Sequence, residues 1–398
     1  MTAVPATVPL SRWQGLGAAL GLALSPLVAL GFTRFAYALL LPPMQSEFGW
    51  SFVAAGALNT SNAIGYLGGA LLATWLAQRF GRLPAFTWAM LASALALMAT
   101  AWPSNFALLL GVRLVGGVAT AVAFVLGTSL AASAMPGRAA TALAIYFAGS
   151  GLGVVLAGTL IPLAQTGGVL DWRLTWLLMG GASLAASALA WQAARKAIGQ
   201  LTAPAPGPHL PVWGVLYPSL LANLLYGAGY VGYMTFMIAL LQRLGFGATL
   251  TMVFFALIGG ASVLASPLWG RWLGRFKTGR GFALVCVIVA AGTLPALIWP
   301  QAWAVIASAL IFGASFMAGP AAVSVVAQRL LPATSLTWGL ALLTAAFSLG
   351  QSIGPLLGGW ISDATGSLAA GLWLGPALLL LGAGMSLRQH PGPAPSAS

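Results

Sequence analysis

Residues 105–134 read NFALLLGVRLVGGVATAVAFVLGTSLAASA, a run with one charge, Arg113. Its apolar positions are continuous, without the alternation of a barrel strand, and it exceeds the ~20 residues a helix needs to cross the hydrocarbon of a bilayer. In lipid the backbone must satisfy its own hydrogen bonds, so the run reads as a membrane-spanning helix.

The same character recurs on both sides of it. Splitting the chain at clusters of charge, Pro, Gly and Asn gives further spans over 15–41, 52–76, 84–101, 139–163 and 173–193, then 213–241, 249–273, 281–299, 302–331, 335–361 and 367–388. The expected fold class is an all-α membrane protein of twelve transmembrane helices in two pseudo-symmetric six-helix bundles. Composition agrees. Of 398 residues 60% are hydrophobic and 5% charged, against about 25% charged in soluble domains, too few to cover a water-facing surface. Glycine, at 51 residues, is high, as where membrane helices approach closely.

The net charge of +13 is scattered between apolar runs and forms no stripe that phosphates could follow, which argues against nucleic acid as a partner. No Gly-Lys-Ser/Thr phosphate loop occurs, which argues against ATP. The one cysteine, Cys286, lies in an apolar run and reads as a packing residue. Arg12 precedes an apolar stretch that continues to Leu41, too long for a signal-peptide core. The acids Glu47, Asp171 and Asp363 fall at span ends, and His209 and His390 lie outside the spans. No acid–base pair or metal cluster can be assembled from them, so no enzyme, metal or cofactor is expected.

Lys and Arg set the direction. With the N-terminus cytoplasmic, 12 basic residues collect on the inner side, Arg173 and Arg243 on the outer, and Arg34 and Arg113 lie within spans. That asymmetry is a positive-inside signal and places both termini in the cytoplasm. Trp50, Trp102, Trp172, Trp299 and Trp303 stand near span ends, as interface anchors do. The Pro-rich break from Arg195 to Pro211 divides the spans six and six. The expected organisation is a bundle over 1–193, a cytoplasmic linker over 194–212, a second bundle over 213–390 and a disordered tail over 391–398.

A repeat joins the halves. At an offset of 196, Gly31–Tyr37 falls on Gly227–Tyr233, Arg79 on Arg275, Gly117 on Gly313 and Pro136 on Pro332. Further on the offset is 201, placing Gly149, Gly153 and Gly158 on Gly350, Gly354 and Gly359. Parallel halves of this kind are one transporter architecture, with the substrate site between them near the midplane.

Several motifs then resemble those of the major facilitator superfamily. Gln78-Arg79-Phe80-Gly81-Arg82 is similar to its Gly-x-x-x-Asp-Arg-x-Gly-Arg signature, with Thr74 for the first Gly and Gln78 for the Asp. Gly270–Arg275 is a second such copy, again without the Asp. Arg113-Leu-Val-Gly-Gly117 resembles the fourth-helix motif, Gly149-Ser-Gly-Leu-Gly153 with Gly158 the fifth-helix motif, and Asp171-Trp172-Arg173 the start of the sixth. Gly31-Phe-Thr-Arg34-Phe-Ala-Tyr37 and Phe347-Ser-Leu-Gly350-Gln351-Ser-Ile-Gly354-Pro355 resemble the YbfB/YjiJ group. The resemblance implies secondary transport of a small solute by alternating access, a monomer, and a bacterial inner (plasma) membrane. The lost Asp takes from the motif the charged cytoplasmic latch it would otherwise imply. Gln78, Arg79, Gly81, Arg82, Arg113, Gly117, Gly149, Gly153, Arg275 and Gly354 are the gating or structural positions it marks.

Arg34 is the sharpest candidate for substrate. It lies roughly 10 Å from the outer end of its span at 1.5 Å per residue, where a charge is costly and marks a solute path by default. Arg113 lies at comparable depth. Each has a structural alternative, a guanidinium that satisfies helix carbonyls or pairs with Glu47 or Asp171. No Asp or Glu lies within a span, and Arg keeps its proton, so a buried carboxylate proton relay is not expected. The implied cavity is positive and suits an organic anion. Asn223, Tyr226, Tyr230 and Tyr233 fall within about 80° on one face of span seven, and Asn59, Asn62 and Tyr66 within about 60° on span two. These faces, with Tyr37 and Gln351, either line the cavity or bond neighbouring helices. Efflux of a drug or metabolite, and a transporter-shaped receptor or scaffold, remain alternatives.

Overall fold

The computed structural model describes residues 10–102, 105–135, 138–166, 171–198, 212–273, 275–276 and 278–389. Pro136, His209, His390, the tail and most of the expected linker fall outside the described residues.

Among the described residues twelve helical spans run α1 (Arg12–Phe48), α2 (Phe52–Phe80), α3 (Arg82–Ala99), α4 (Phe106–Ala134), α5 (Ala139–Thr166), α6 (Trp172–Ala197), α7 (Val212–Arg243), α8 (Ala248–Leu273), α9 (Arg280–Ile298), α10 (Ala302–Leu330), α11 (Ala333–Thr365) and α12 (Leu368–Leu387). Each coincides with one expected span. Among them 11 are long and apolar enough to cross a membrane on length and composition, and α2 falls short because Asn59, Thr60, Ser61 and Asn62 occupy its middle.

Two spans depart from plain α-helix. α1 starts on a capping box, Ser11 with Gln14, and widens to a π-helix over Leu27–Phe35, just after Pro26. Proline brings no N–H to its turn, and the wider winding follows it. Within that segment the Thr33 hydroxyl donates to the Val28 carbonyl at 3.0 Å, five residues back. α1 also outruns its expected end at Leu41. Pro42 and Pro43 are carried within the helix, and the stop comes at Gly49, whose φ of 63° only glycine adopts without strain. α10 breaks at Met317 into Ala302–Phe316 and Ala318–Leu330, with Pro320 in the first turn of the second piece, where no N–H is needed.

Close packing fixes the repeat. A Cβ on Gly149 would lie 2.0 Å from the Ala23 carbonyl oxygen, and one on Gly350 1.9 Å from that of Leu224. Gly153 meets Leu27 as Gly354 meets Ala228. Both members of each pair are 201 residues apart, so α1–α5 and α7–α11 are one packing motif used twice. Gly31 against Gly153 matches Gly232 against Gly354 in the same register. The expected match of Gly31 to Gly227 is therefore corrected: the counterpart is Gly232, and that of Arg34 is Thr235. The offset of 196 does hold for α2–α4 and α8–α10, where Gly117 presses on Asn62 and Gly313 on Ile258. Sequence similarity in a Gly-rich chain found both offsets and assigned α1 to the wrong one.

The halves meet along α2–α11 and α5–α8. Gly151 and Gly158 of α5 press on Val263 and Phe255 of α8. Gly56 of α2 presses on the Pro355 carbonyl and Gly359 of α11 on that of Phe52. The Thr60 hydroxyl donates to the Ser352 carbonyl at 2.5 Å. At the end of this seam, the carboxylate of Asp363 on α11 accepts from the backbone N–H groups of Phe52 at 2.9 Å and Val53 at 2.8 Å. One half thus caps the first turn of a helix in the other, where unpaired N–H groups and the helix dipole favour an anion. The Arg243 guanidinium of α7 stands over the Phe52 ring at 4.8 Å.

Candidate functional site

The π-helical segment of α1, the middle of α2 and the middle of α7 enclose a cavity between the halves. Arg34, Tyr37, Asn59, Tyr230, Met234 and Thr235 line it. It is tight: the centre of a water molecule can reach about 10 Å³ of it, room for one water.

Arg34 is 8% exposed. Its guanidinium carbon stands 5.2 Å over the Tyr66 ring, a cation–π contact, and its Nη2 is buried with no hydrogen-bond partner. Neither Glu47 nor Asp171 pairs with it. Glu47 accepts from Trp172 Nε1 at 2.7 Å and pairs with Arg173 at 2.5 Å, and Asp171 caps α6 through the Leu174 N–H. The ion-pair alternative for Arg34 is thereby removed.

Arg113, 2% exposed, stands behind α1 rather than in the cavity lining. Its Nη1 donates to the Thr33 carbonyl at 3.0 Å, and its guanidinium lies 4.8 Å over Tyr37 and 5.9 Å from the Trp176 ring. It braces the wide turn that carries Arg34. The two guanidinium groups are near enough to feel each other's charge.

Asn59, 4% exposed, donates from Nδ2 to the Thr235 hydroxyl at 2.6 Å, and its Oδ1 has no partner. Asn62 donates to the Arg113 carbonyl at 3.1 Å and ties α2 to α4. Of the span-seven face, Tyr230 lines the cavity. The other three bond between helices: Asn223 to the Leu343 carbonyl at 2.8 Å, Tyr226 to the Phe316 carbonyl, and Tyr233 to Ser308 at 2.6 Å. Tyr37 lines the cavity but sends its hydroxyl to the Ala55 carbonyl at 2.7 Å. Gln351 donates to the Tyr230 hydroxyl at 2.5 Å, and Phe347 stacks on the Tyr230 ring at 5.6 Å with planes 8° apart.

The motif residues lie elsewhere. Gln78, Arg79 and Gly81 are exposed and Arg82 is half-buried at the α2–α3 turn, where Gly81 takes a φ of 91°. Arg275 is exposed at the turn after α8. Gly117, Gly149, Gly153 and Gly354 are contact points between helices. Among the described residues no three His, Cys, Asp or Glu side chains converge as a metal site would need.

Sequence reasoning missed Thr235, Met234 and the Asp363 cap. Thr235 was within reach, since the 201 register sets it opposite Arg34. The Asp363 cap joins residues 310 positions apart and has no local signal.

The family model for an uncharacterised major-facilitator-type transporter, YbfB, matches residues 26–387. A chloramphenicol resistance protein of Streptomyces lividans is 28% identical over 377 residues, 88% of this chain and 92% of that one. Among solved structures, a bacterial homologue of the human lysosomal transporter Spinster, inward-facing and occupied, superposes with a TM-score of 0.74 at 15% identity, covering 96% of this chain and 97% of that one. A D-xylose–proton symporter superposes with a TM-score of 0.71 at 18% identity, covering 95% and 97%. At those identities the structures speak for the fold. The family match, the twelve spans and a polar cavity at the meeting of two repeated halves place the molecule: this chain is a multi-pass membrane protein that belongs to the YbfB-type family of the major facilitator superfamily, whose members move small solutes by alternating access.

Proposed function

We propose that the solute carried is a small organic anion and that Arg34 binds it. The observation that supports this most is the unpartnered, buried Nη2 of Arg34 in the cavity between the halves, in a chain whose three acids are all exposed at span ends. A buried guanidinium with a free donor is costly until an anion meets it. Arg113 adds positive potential behind it. With all three acids exposed at span ends, the reading is uniport or exchange without a buried proton carboxylate.

The rest of the reading follows the sequence. Residues 1–193 and 213–390 rock as two bodies about the cavity, with 194–212 between them in sequence. The membrane is a bacterial inner membrane with both termini in the cytoplasm, and the Asp363 cap is then on the outer face. The chain works as a monomer, with no ATP, nucleic acid, metal or catalysis of its own.

The test is transport in proteoliposomes. Labelled organic anions exchange across the membrane with the intact protein, and Arg34→Gln abolishes that exchange. Exchange unchanged in Arg34→Gln rejects the reading. The chloramphenicol resistance relative favours a second reading, outward movement of a neutral aromatic compound along Tyr66, Tyr230 and Phe347. It predicts transport of such compounds that is indifferent to Arg34.

A further inference from the structure

Two residues that line the cavity carry unsatisfied buried polar atoms of opposite character. Arg34 Nη2 is a donor without an acceptor, and Asn59 Oδ1 is an acceptor without a donor. Both residues are more than nine-tenths buried and line the same space. Buried polar groups in folded proteins are paired in the great majority, so two unpaired ones on residues that line a single cavity point to a ligand.

The orientation of the Asn59 amide follows from its neighbour. Oxygen and nitrogen of an amide are assigned from the hydrogen-bond network. The Thr235 hydroxyl has one proton, and it goes to the Val231 carbonyl at 2.7 Å. With that proton directed at Val231, Thr235 accepts from Asn59 Nδ2 at the 2.6 Å contact. Oδ1 is left as the free atom, and it calls for a donor.

We infer that the ligand is an α-hydroxy-carboxylate: its carboxylate meets Arg34 and its hydroxyl donates to Asn59. This rests on the anion reading and narrows it. Arg34 and Asn59 line one small space, which favours a ligand whose donor lies close to its charge, as in an α-hydroxy-carboxylate. An α-amino acid has that spacing but carries an ammonium. Two buried guanidinium groups repel it, and the three acids, all exposed at span ends, are not beside it to compensate.

The test compares matched acids that differ in the hydroxyl: glycolate with acetate, lactate with propionate, and mandelate with phenylacetate. Binding to purified protein is read as thermal stabilisation against concentration. At least one hydroxy acid binds at least about tenfold tighter than its deoxy partner, because a buried acceptor left unpaired penalises the deoxy form. In Asn59→Leu that ratio falls to near one while the deoxy acid still binds. Arg34→Gln loses both members of the pair. Hydroxy and deoxy acids binding alike in the unmodified protein, or a ratio that survives Asn59→Leu, overturns the inference and leaves the anion reading standing. Alanine binding as tightly as lactate overturns the choice of hydroxyl over amine. Failure of every hydroxy acid to bind overturns it too, and reduces the Arg34–Asn59 pairing to a bridge through one water. Binding indifferent to Arg34→Gln rejects the anion reading itself.

Discussion

Arg113 on α4 donates to the backbone carbonyl of Thr33 on α1, 3.0 Å away, one residue before the arginine that lines the cavity. A π-helical turn leaves carbonyls off the regular ladder, and such turns recur at functional sites. Here the Thr33 carbonyl within such a segment is met by a buried charge from a neighbouring helix, so the aim of Arg34 depends on Arg113.

Arg113→Leu should therefore separate stability from transport. Losing a charge-assisted bond costs about 1.5–3 kcal/mol, while removing a buried guanidinium whose Nε and Nη2 are unpartnered relieves a comparable desolvation penalty. Thermal unfolding should move little, and solute exchange should fall at least about tenfold as the Arg34 turn loosens. A protein that exchanges solute at the unmodified rate would show that the brace is dispensable.

Asp363 joins the two halves through the first N–H groups of α2. Asp363→Ala removes two charge-assisted bonds that exist only while that end is closed, a bias of roughly 1.5–3 kcal/mol or more. The closed-to-open ratio at that end should shift by about tenfold or more. Spin labels on Ser46 and Thr365, exposed ends of α1 and α11, should report a new population at longer distance. An unchanged distance distribution would mean that the glycine seam alone holds the end shut.

The repeated glycine contacts should be equally intolerant in both halves. Gly149→Val and Gly350→Val drive a side chain into a carbonyl that a Cβ would already meet at 2.0 Å and 1.9 Å, with no flexible atom to yield. Each should cost more than the usual 1–3 kcal/mol of overpacking, read as lost folded protein or a lower Tm. Gly68→Ala, with open space around it, should be neutral or slightly stabilising.

Two tyrosines on one helix face should behave differently. Tyr226→Phe loses a buried bond to the Phe316 carbonyl and should cost about 1 kcal/mol of stability with ligand affinity unchanged. Tyr230→Phe keeps its stack on Phe347 but removes a hydroxyl from the cavity lining and its bond to Gln351, and should weaken ligand binding several-fold. Parallel Tm and Kd measurements on the two variants check the division.

The twelve spans were legible because lipid demands long continuous apolar runs, and even α2 was readable between its turns despite its polar middle. The site was legible in part. Arg34, Asn59 and Tyr230 announce themselves as polar groups where none is cheap. Asn62, Asn223, Tyr226 and Tyr233 look the same in sequence, and their bonds to neighbouring helices emerge only when those helices pack. Helical periodicity gives a face but does not divide it between cavity and neighbour. The π-helix had a hint in Pro26, while its brace from Arg113 spans 80 residues and is a product of the tertiary fold.

The central claim is that Arg34 meets an anion. Its most direct test is thermal stabilisation of the purified protein by organic anions, cations and neutral aromatics, in parallel with Arg34→Gln. A ligand held only by the folded state at 100 times its Kd adds ~2.7 kcal/mol. The account predicts stabilisation by anions alone, lost in Arg34→Gln; stabilisation by cations or neutral aromatics, retained in that variant, would contradict it.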